Sequence, residues 1–179
     1  MRSGFIVWLT GVPCAGKTTL ARGLEARIAS FTPTEVLDGD EMRRLLSPDL
    51  GFSRADRALN VERIAQVARL LAKHGVAVLV ACVSPYADMR RRANEIARAD
   101  GLAFVEVHVY AAMPVLLARD TRELYAAAEA GRLPGVPGRP DPYQAPVEPD
   151  LTVDTGVESV AAGVDRLIRL LRDRSLLSG

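Results

Sequence analysis

An α/β fold, a five-stranded parallel sheet with helices on both faces, is what this sequence predicts, on three observations. Apolar runs of strand length alternate with stretches whose apolar residues recur at helical spacing. Polar and turn-forming residues stand at the carboxyl ends of the first three runs. Alternating strands and helices also imply parallel pairing, since each crossover helix returns the chain to the same end of the sheet.

Phe5 to Thr10 opens the chain as a nearly continuous apolar stretch, as a strand buried on both faces requires. A helix starts near Lys17, with Leu20, Leu24 and Ile28 four residues apart. Glu35-Val36-Leu37 is a short second strand that runs into Asp38-Gly39-Asp40. Val61, Ile64, Ala65, Ala68, Leu71 and Ala72 then form a helical stripe, with Ser53 and Asp56 ahead of it as a capping box. Val76 to Val83 is the strongest strand and ends at Ser84-Pro85. Residues 88–99 read as helix, Phe104 to Val109 as the fourth strand, and Pro114 suits the first turn of a short helix. Tyr125 to Ala130 continues helically to Gly131, a C-terminal cap. Leu151-Thr152-Val153 gives the last strand, and Val160, Val164, Leu167, Ile168 and Leu171 mark one face of a closing helix. Residues 131–146 (GRLPGVPGRPDPYQAP) carry Gly or Pro every two or three positions, which excludes a regular helix or strand interior. A segment of that length inside a compact domain is expected to serve function.

The 179 residues fit one domain, 1–179, with a sizeable core. A net charge of +1, with 25% charged residues, argues against a general nucleic-acid or membrane surface, so useful cations must be placed locally. No apolar run approaches the roughly 20 residues a membrane span needs, and the first residues read as a strand rather than a signal peptide. Cys14 and Cys82 make no disulfide framework, which predicts reduced thiols and a cytoplasmic protein.

Gly11-x-x-x-x-Gly16-Lys17-Thr18 between a strand and a helix is a phosphate loop. Its glycines let backbone N–H groups turn inward at a helix N-terminus whose dipole favours anions. Lys17 is expected to reach the β- and γ-phosphates of ATP, and the Thr18 hydroxyl to ligate Mg²⁺. The guanine-reading Asn-Lys-x-Asp of GTPases does not occur, and the third strand lacks the terminal Asp of motor-type ATPases. Carboxylates follow the second strand instead, which suits a small-molecule kinase. Asp38 and Asp40, two apart, would share one side of an extended segment and draw a cation such as hydrated Mg²⁺ or an arginine, or simply form a solvated Asp-Gly turn. Arg43, Arg57 and Asn60 follow, with Phe52 between them; arginines pair with phosphate or sulfate, and a ring can stack a base. Cys14, among inward amides, is expected to have a lowered thiol pKa and an oxidation-sensitive place in ATP binding. His74 and His108 read as ordinary core or surface histidines, and Arg90-Arg91-Arg92 as a solvated helix face.

The segments LDGDEMR (37–43), DLGFSRADRALNVERIAQVARLLA (49–72), VSPY (83–86), ELYAAAEAG (123–131) and DPYQAP (141–146) together resemble the adenylylsulfate kinase family. They stand in that family's order and cover most of the chain. The resemblance implies a P-loop kinase three-layer sandwich with a Gly/Pro-rich lid over about 120–146, using ATP and Mg²⁺ to phosphorylate the ribose 3′-hydroxyl of adenosine 5′-phosphosulfate in sulfate assimilation. Gly11, Cys14, Ala15, Gly16, Lys17, Thr18 and Thr19 would hold the ATP phosphates and Mg²⁺, Arg119 would flank the ATP adenine, and Asp38 would assist with the metal. Asp40 would be the base or orienting group for the 3′-hydroxyl. Arg43, Phe52, Arg57, Asn60, Pro85 and Arg122 would serve the acceptor. Ser84 occupies a position often given a phosphoserine intermediate, although direct in-line transfer needs only a hydrogen bond there. The resemblance also implies a homodimer.

The lid departs from the family. Asp120-Thr121-Arg122-Glu123-Leu124-Tyr125 replaces the usual Asp-Pro-Lys-Gly-Leu-Tyr, and Val136 replaces an aromatic expected to stack on adenine. Arg139 adds a cation, and Pro13-Cys14 stands where Ser-Gly is common. A kinase of the same family acting on another nucleotide or small alcohol, or a non-enzymatic ATP-binding regulator, are the alternative readings.

Overall fold

A computed structural model describes residues 4–133, 136–138 and 140–177. In chain order its elements are β1 (Phe5–Thr10), α1 (Lys17–Ile28), β2 (Thr34–Asp38), α2 (Gly39–Leu46), α3 (Arg54–Lys73), β3 (Ala77–Ala81) and α4 (Ala87–Arg98). There follow β4 (Ala103–Tyr110), α5 (Met113–Arg119), α6 (Leu124–Glu129), β5 (Val136–Pro137), β6 (Pro140–Asp141), β7 (Leu151–Asp154) and α7 (Val160–Asp173). Five strands pair in parallel in the order β2-β3-β1-β4-β7. The chain therefore moves to one side of β1 for β2 and β3, then crosses it for β4 and β7. That reversal opens a crevice beyond the carboxyl end of β1.

Strand alternation divides the core into two layers. Phe5, Val7 and Leu9 face the layer built with Leu20 and Leu24 of α1 and Leu167 and Leu171 of α7. Ile6 and Trp8 face the other, with Ile64 and Ala68 of α3 and Ile96 of α4. The Trp8 ring is fully buried and stacks on Phe104 at 5.8 Å. Each large side chain so placed contributes roughly 1.5–3 kcal/mol through water exclusion. This is the predicted three-layer sandwich.

Three local readings change. The segment after β2 is not extended, because Asp38 caps α2 by accepting from the backbone N–H groups of Asp40 (2.9 Å) and Glu41 (3.2 Å). Asp38 and Asp40 are thus a cap and a first-turn residue rather than neighbours on one strand face. Inside the segment 131–146, the backbone makes a small parallel pair, β5 with β6. The three arginines of α4 do not share a face: Arg91 and Arg92 are exposed, whereas Arg90 is 4% exposed. The capping box at Ser53 and Asp56 is formed. His74 caps the C-terminus of α3, and His108 is half-buried beside the rings of Tyr110 and Tyr143.

Leu79 sits mid-sheet, in register with Val7 on one side and Val36 on the other, and is fully buried. Leu79→Ala is expected to cost about 2–5 kcal/mol of unfolding free energy, read by urea denaturation, because the flanking strands cannot close the cavity.

Candidate active site

The crevice beyond β1 is a cleft of about 600 Å³. Its floor is the phosphate loop. Gly11 admits no side chain, since a Cβ there would lie 2.2 Å from the Val109 carbonyl of β4. Gly16 holds φ 93, the left-handed conformation that glycine adopts without steric cost, and so turns the loop into α1. Ala15 is fully buried, and its carbonyl accepts a hydrogen bond from Thr155 (2.8 Å).

Lys17 opens α1 and is 9% exposed, with Nζ donating to the Val12 carbonyl at 2.9 Å. Burial pushes its pKa down to about 8, against a partial opposing pull from Asp40 and Asp38. The Thr18 hydroxyl donates to Asp38 Oδ2 at 2.6 Å, which ties the first turn of α1 to the cap of α2. Together they offer hard oxygen ligands, which suit Mg²⁺ completed by phosphate oxygens and water. Among the described residues no group of three or more His, Cys, Asp or Glu could hold a metal unaided. Thr19 also lines the cleft.

Cys14 behaves differently from the sequence expectation. Its thiol pKa is raised, first by burial and then by Asp120, whose Oδ1 lies 3.9 Å from Sγ. Desolvation and a nearby carboxylate outweigh the helix N-terminus.

On the far wall stand Asp40, Arg43, Phe52, Arg57 and Asn60. The Arg43 guanidinium lies 4.4 Å over the Phe52 ring, and that of Arg57 lies 5.5 Å from it. Arg43 also donates to the carbonyls of Leu50 and Gly51, which pins it to the turn before α3. Asn60 is 6% exposed, and its buried Oδ1 has no hydrogen-bond partner among the described residues. A buried acceptor without a partner is costly unless a donor reaches it, and Asn60 lines the cleft. Asp40 is paired with Arg122 at 3.0 Å, both well exposed.

Ser84 and Pro85 line the cleft between the two walls. Ser84 is 1% exposed and holds φ 38. Its hydroxyl accepts from Trp8 Nε1 at 3.0 Å and donates to Thr10 Oγ1 at 3.1 Å. Arg119 lies at the other end, donating to Thr155 Oγ1 (2.9 Å) and to the Thr155 carbonyl (2.7 Å). Every residue picked out in the sequence for the site lines this cleft except Gly11 and Ala15, whose contributions are backbone. Sequence reasoning missed Thr155, Trp8, Thr10 and Tyr143, whose polar atoms brace the site from distant elements.

Within residues 120–146, Glu123 holds φ 51, in the left-handed region that favours glycine. Val136 is 7% exposed in the apolar core, so it offers no face to a nucleotide here. Arg139 and Gly135 lie outside the described residues. Tyr125 donates its hydroxyl to the Pro13 carbonyl (2.9 Å), and a Cβ on Gly138 would lie 2.9 Å from Val12. The segment thus rests directly on the phosphate loop.

A doubly wound parallel sheet, a phosphate loop at its first strand and acidic residues at its second define a P-loop kinase fold. The chain belongs to the adenylylsulphate kinase family, whose model matches residues 3–154. It is 53% identical over 175 residues to an adenylyl-sulfate kinase of Myxococcus xanthus, covering 98% of this chain and 95% of that one. An adenylyl-sulfate kinase of Chloroflexus aurantiacus is 46% identical over 171 residues, 95% of this chain and 90% of its own. The structure of the Mycobacterium tuberculosis APS kinase CysC in complex with AMPPNP and APS superposes with a TM-score of 0.91 at 37% identity, covering 96% of this chain and 99% of the other. Among the described residues no helix is long and apolar enough to cross a membrane.

The depressed Lys17 pKa is a stability statement. Burial penalises the charged form, so the penalty is full below about pH 8 and vanishes as pH rises past the ordinary lysine value of 10.5. Without ligand, Lys17→Met is expected to be the more stable protein at neutral pH, by on the order of 1–3 kcal/mol. Chemical denaturation at a series of pH values should show that advantage shrinking above pH 8.

Proposed function

We propose that this chain transfers the γ-phosphoryl group of ATP to the ribose 3′-hydroxyl of adenosine 5′-phosphosulfate, giving 3′-phosphoadenylylsulfate and ADP. The observation that carries the proposal is that one cleft holds both the anion-binding Lys17 loop and the Arg43–Phe52–Arg57–Asn60 wall. Family membership and the substrates named for the M. tuberculosis complex support it.

In this reading Lys17 and the loop amides hold the ATP phosphates, and Arg119 flanks the adenine. Thr18 and Asp38 hold Mg²⁺, which supplies charge neutralisation on the transferring group. Arg43 and Arg57 take the phosphosulfate, Phe52 stacks the acceptor adenine, and Asn60 Oδ1 accepts from a ribose or base donor. Asp40 orients the 3′-hydroxyl and receives its proton, so Arg122 must first leave Asp40 for the incoming anion. Ser84, with its hydroxyl engaged on both sides, positions the acceptor as part of the Ser84-Pro85 turn, and transfer is direct. The lid, about 120–146 of a single domain, closes over both nucleotides and keeps water from taking the phosphoryl group. We extend the reading to a cytoplasmic homodimer, which light scattering on the purified protein tests as to assembly.

Purified protein with ATP and Mg²⁺ is expected to form ADP rapidly with adenosine 5′-phosphosulfate, and slowly with AMP or with no acceptor. Equal rates with AMP would overturn the acceptor assignment. Asp40→Asn is expected to lower turnover by roughly 10²–10⁴ while ATP affinity stays within a few-fold, as general-base loss requires. A collapse of ATP affinity would instead place Asp40 on the donor side.

A further inference from the structure

Arg90 is the one arginine of its run that the fold takes out of water, at 4% exposure. A buried guanidinium persists where its donors are matched by fixed acceptors. Here they are matched across two elements. Nε donates to Glu106 Oε1 of β4 at 2.6 Å, and Nη1 donates to the Ser84 carbonyl at 2.9 Å.

Ser84 needs that hold. Its φ of 38 lies in the left-handed region, which a non-glycine residue keeps only where its surroundings over-determine it. Trp8 Nε1 fixes its hydroxyl from the sheet side, and Thr10 Oγ1 donates to the preceding Val83 carbonyl at 2.7 Å. The same turn carries a second load on its outer side. Gln144 N–H donates to the Pro85 carbonyl at 2.8 Å, and Gln144 Oε1 accepts from the Ala87 N–H at 2.9 Å. Tyr143 OH lies 3.1 Å from Thr10 Oγ1, and its ring stacks on His108 at 6.0 Å. The chain returning from the Gly/Pro-rich segment is therefore zipped onto the turn that Arg90 clamps.

We infer that Arg90 is a positioning residue for phosphoryl transfer: its buried fork fixes the Ser84-Pro85 turn, and through it the acceptor wall and the returning end of the lid. This rests on the function proposed above. A lysine could neutralise Glu106, but its single nitrogen cannot replace two donors held at a fixed angle.

Arg90→Lys, Arg90→Met and the double variant Arg90→Met/Glu106→Gln test this. The double variant removes the unpaired carboxylate, so its thermal midpoint is expected to lie nearer wild type than that of Arg90→Met. All three are expected to raise KM for adenosine 5′-phosphosulfate, or lower kcat, by about tenfold or more, since the loss of positioning costs rate without touching the reacting groups. KM for ATP stays within about twofold, because the phosphate loop makes no bond to Arg90 among those described. Recovery of acceptor kinetics together with stability in the double variant would overturn the inference and leave Arg90 a fold residue. Hydrogen exchange provides a readout independent of the acceptor's identity. The Ala87 and Gln144 amides should exchange faster in both Met variants while the phosphate-loop amides do not, and unchanged exchange there would also refute the clamp. A wild-type protein inactive on adenosine 5′-phosphosulfate, with exchange responding as described, would sink the functional reading and spare the clamp.

Discussion

A positive charge is withdrawn from water before any anion arrives, and the site is arranged around that constraint. Lys17 opens a helix whose N-terminus already carries partial positive charge, and it is buried there with its ammonium donating to the Val12 carbonyl. Burial favours the neutral amine. In the proposed function, phosphate oxygens would resolve the conflict by satisfying the ammonium and the loop amides together. Folding thus stores an electrostatic deficit that a bound polyanion would remove.

Asp38 carries the effect across the cleft. One oxygen accepts from Thr18 on α1, and the other accepts from two amides at the start of α2. A single carboxylate thereby fixes α1 relative to α2, the helix that presents Asp40 and Arg43. Charge-assisted bonds of this kind are about twice as strong as neutral ones. The distance over which a phosphoryl group would travel is set by that bridge rather than by either helix alone.

What the sequence disclosed and what it withheld follow from range. The phosphate loop was legible because its chemistry lies within consecutive residues, and the central strands β1 and β3 because strands buried on both faces read as unbroken apolar runs. The helix α2 was not, because it buries no residue and owes its existence to the Asp38 cap and to Asp40 and Glu41 in its first turn. Arg90 looked solvated among three arginines because Glu106, its partner, reaches it only once β4 is laid beside α4's sheet face. Cys14 was misjudged for the same reason: a local rule about helix N-termini gave way to burial and to Asp120, which the fold brings from far along the chain. Arg43, Phe52, Arg57 and Asn60 were picked out by residue type and by family resemblance; the orphaned Asn60 oxygen could be seen only in three dimensions.

The segment proposed as a lid touches both sides of the cleft. Its leading end reaches the phosphate loop through Tyr125 and Pro13 and the acidic wall through Arg122 and Asp40. Its returning end is bonded to the Ser84-Pro85 turn through Gln144. The Tyr125 hydrogen bond is partly buried and Gln144 is held by two backbone partners, whereas the Arg122–Asp40 pair is exposed and contributes at most about 1 kcal/mol. Of these contacts, the ion pair is therefore the one a bound anion breaks most cheaply. In the closure proposed above, Arg122 would change partners while the Tyr125 and Gln144 contacts stay in place. The carboxylate proposed as the base would become free only when an acceptor's own charge draws that arginine away.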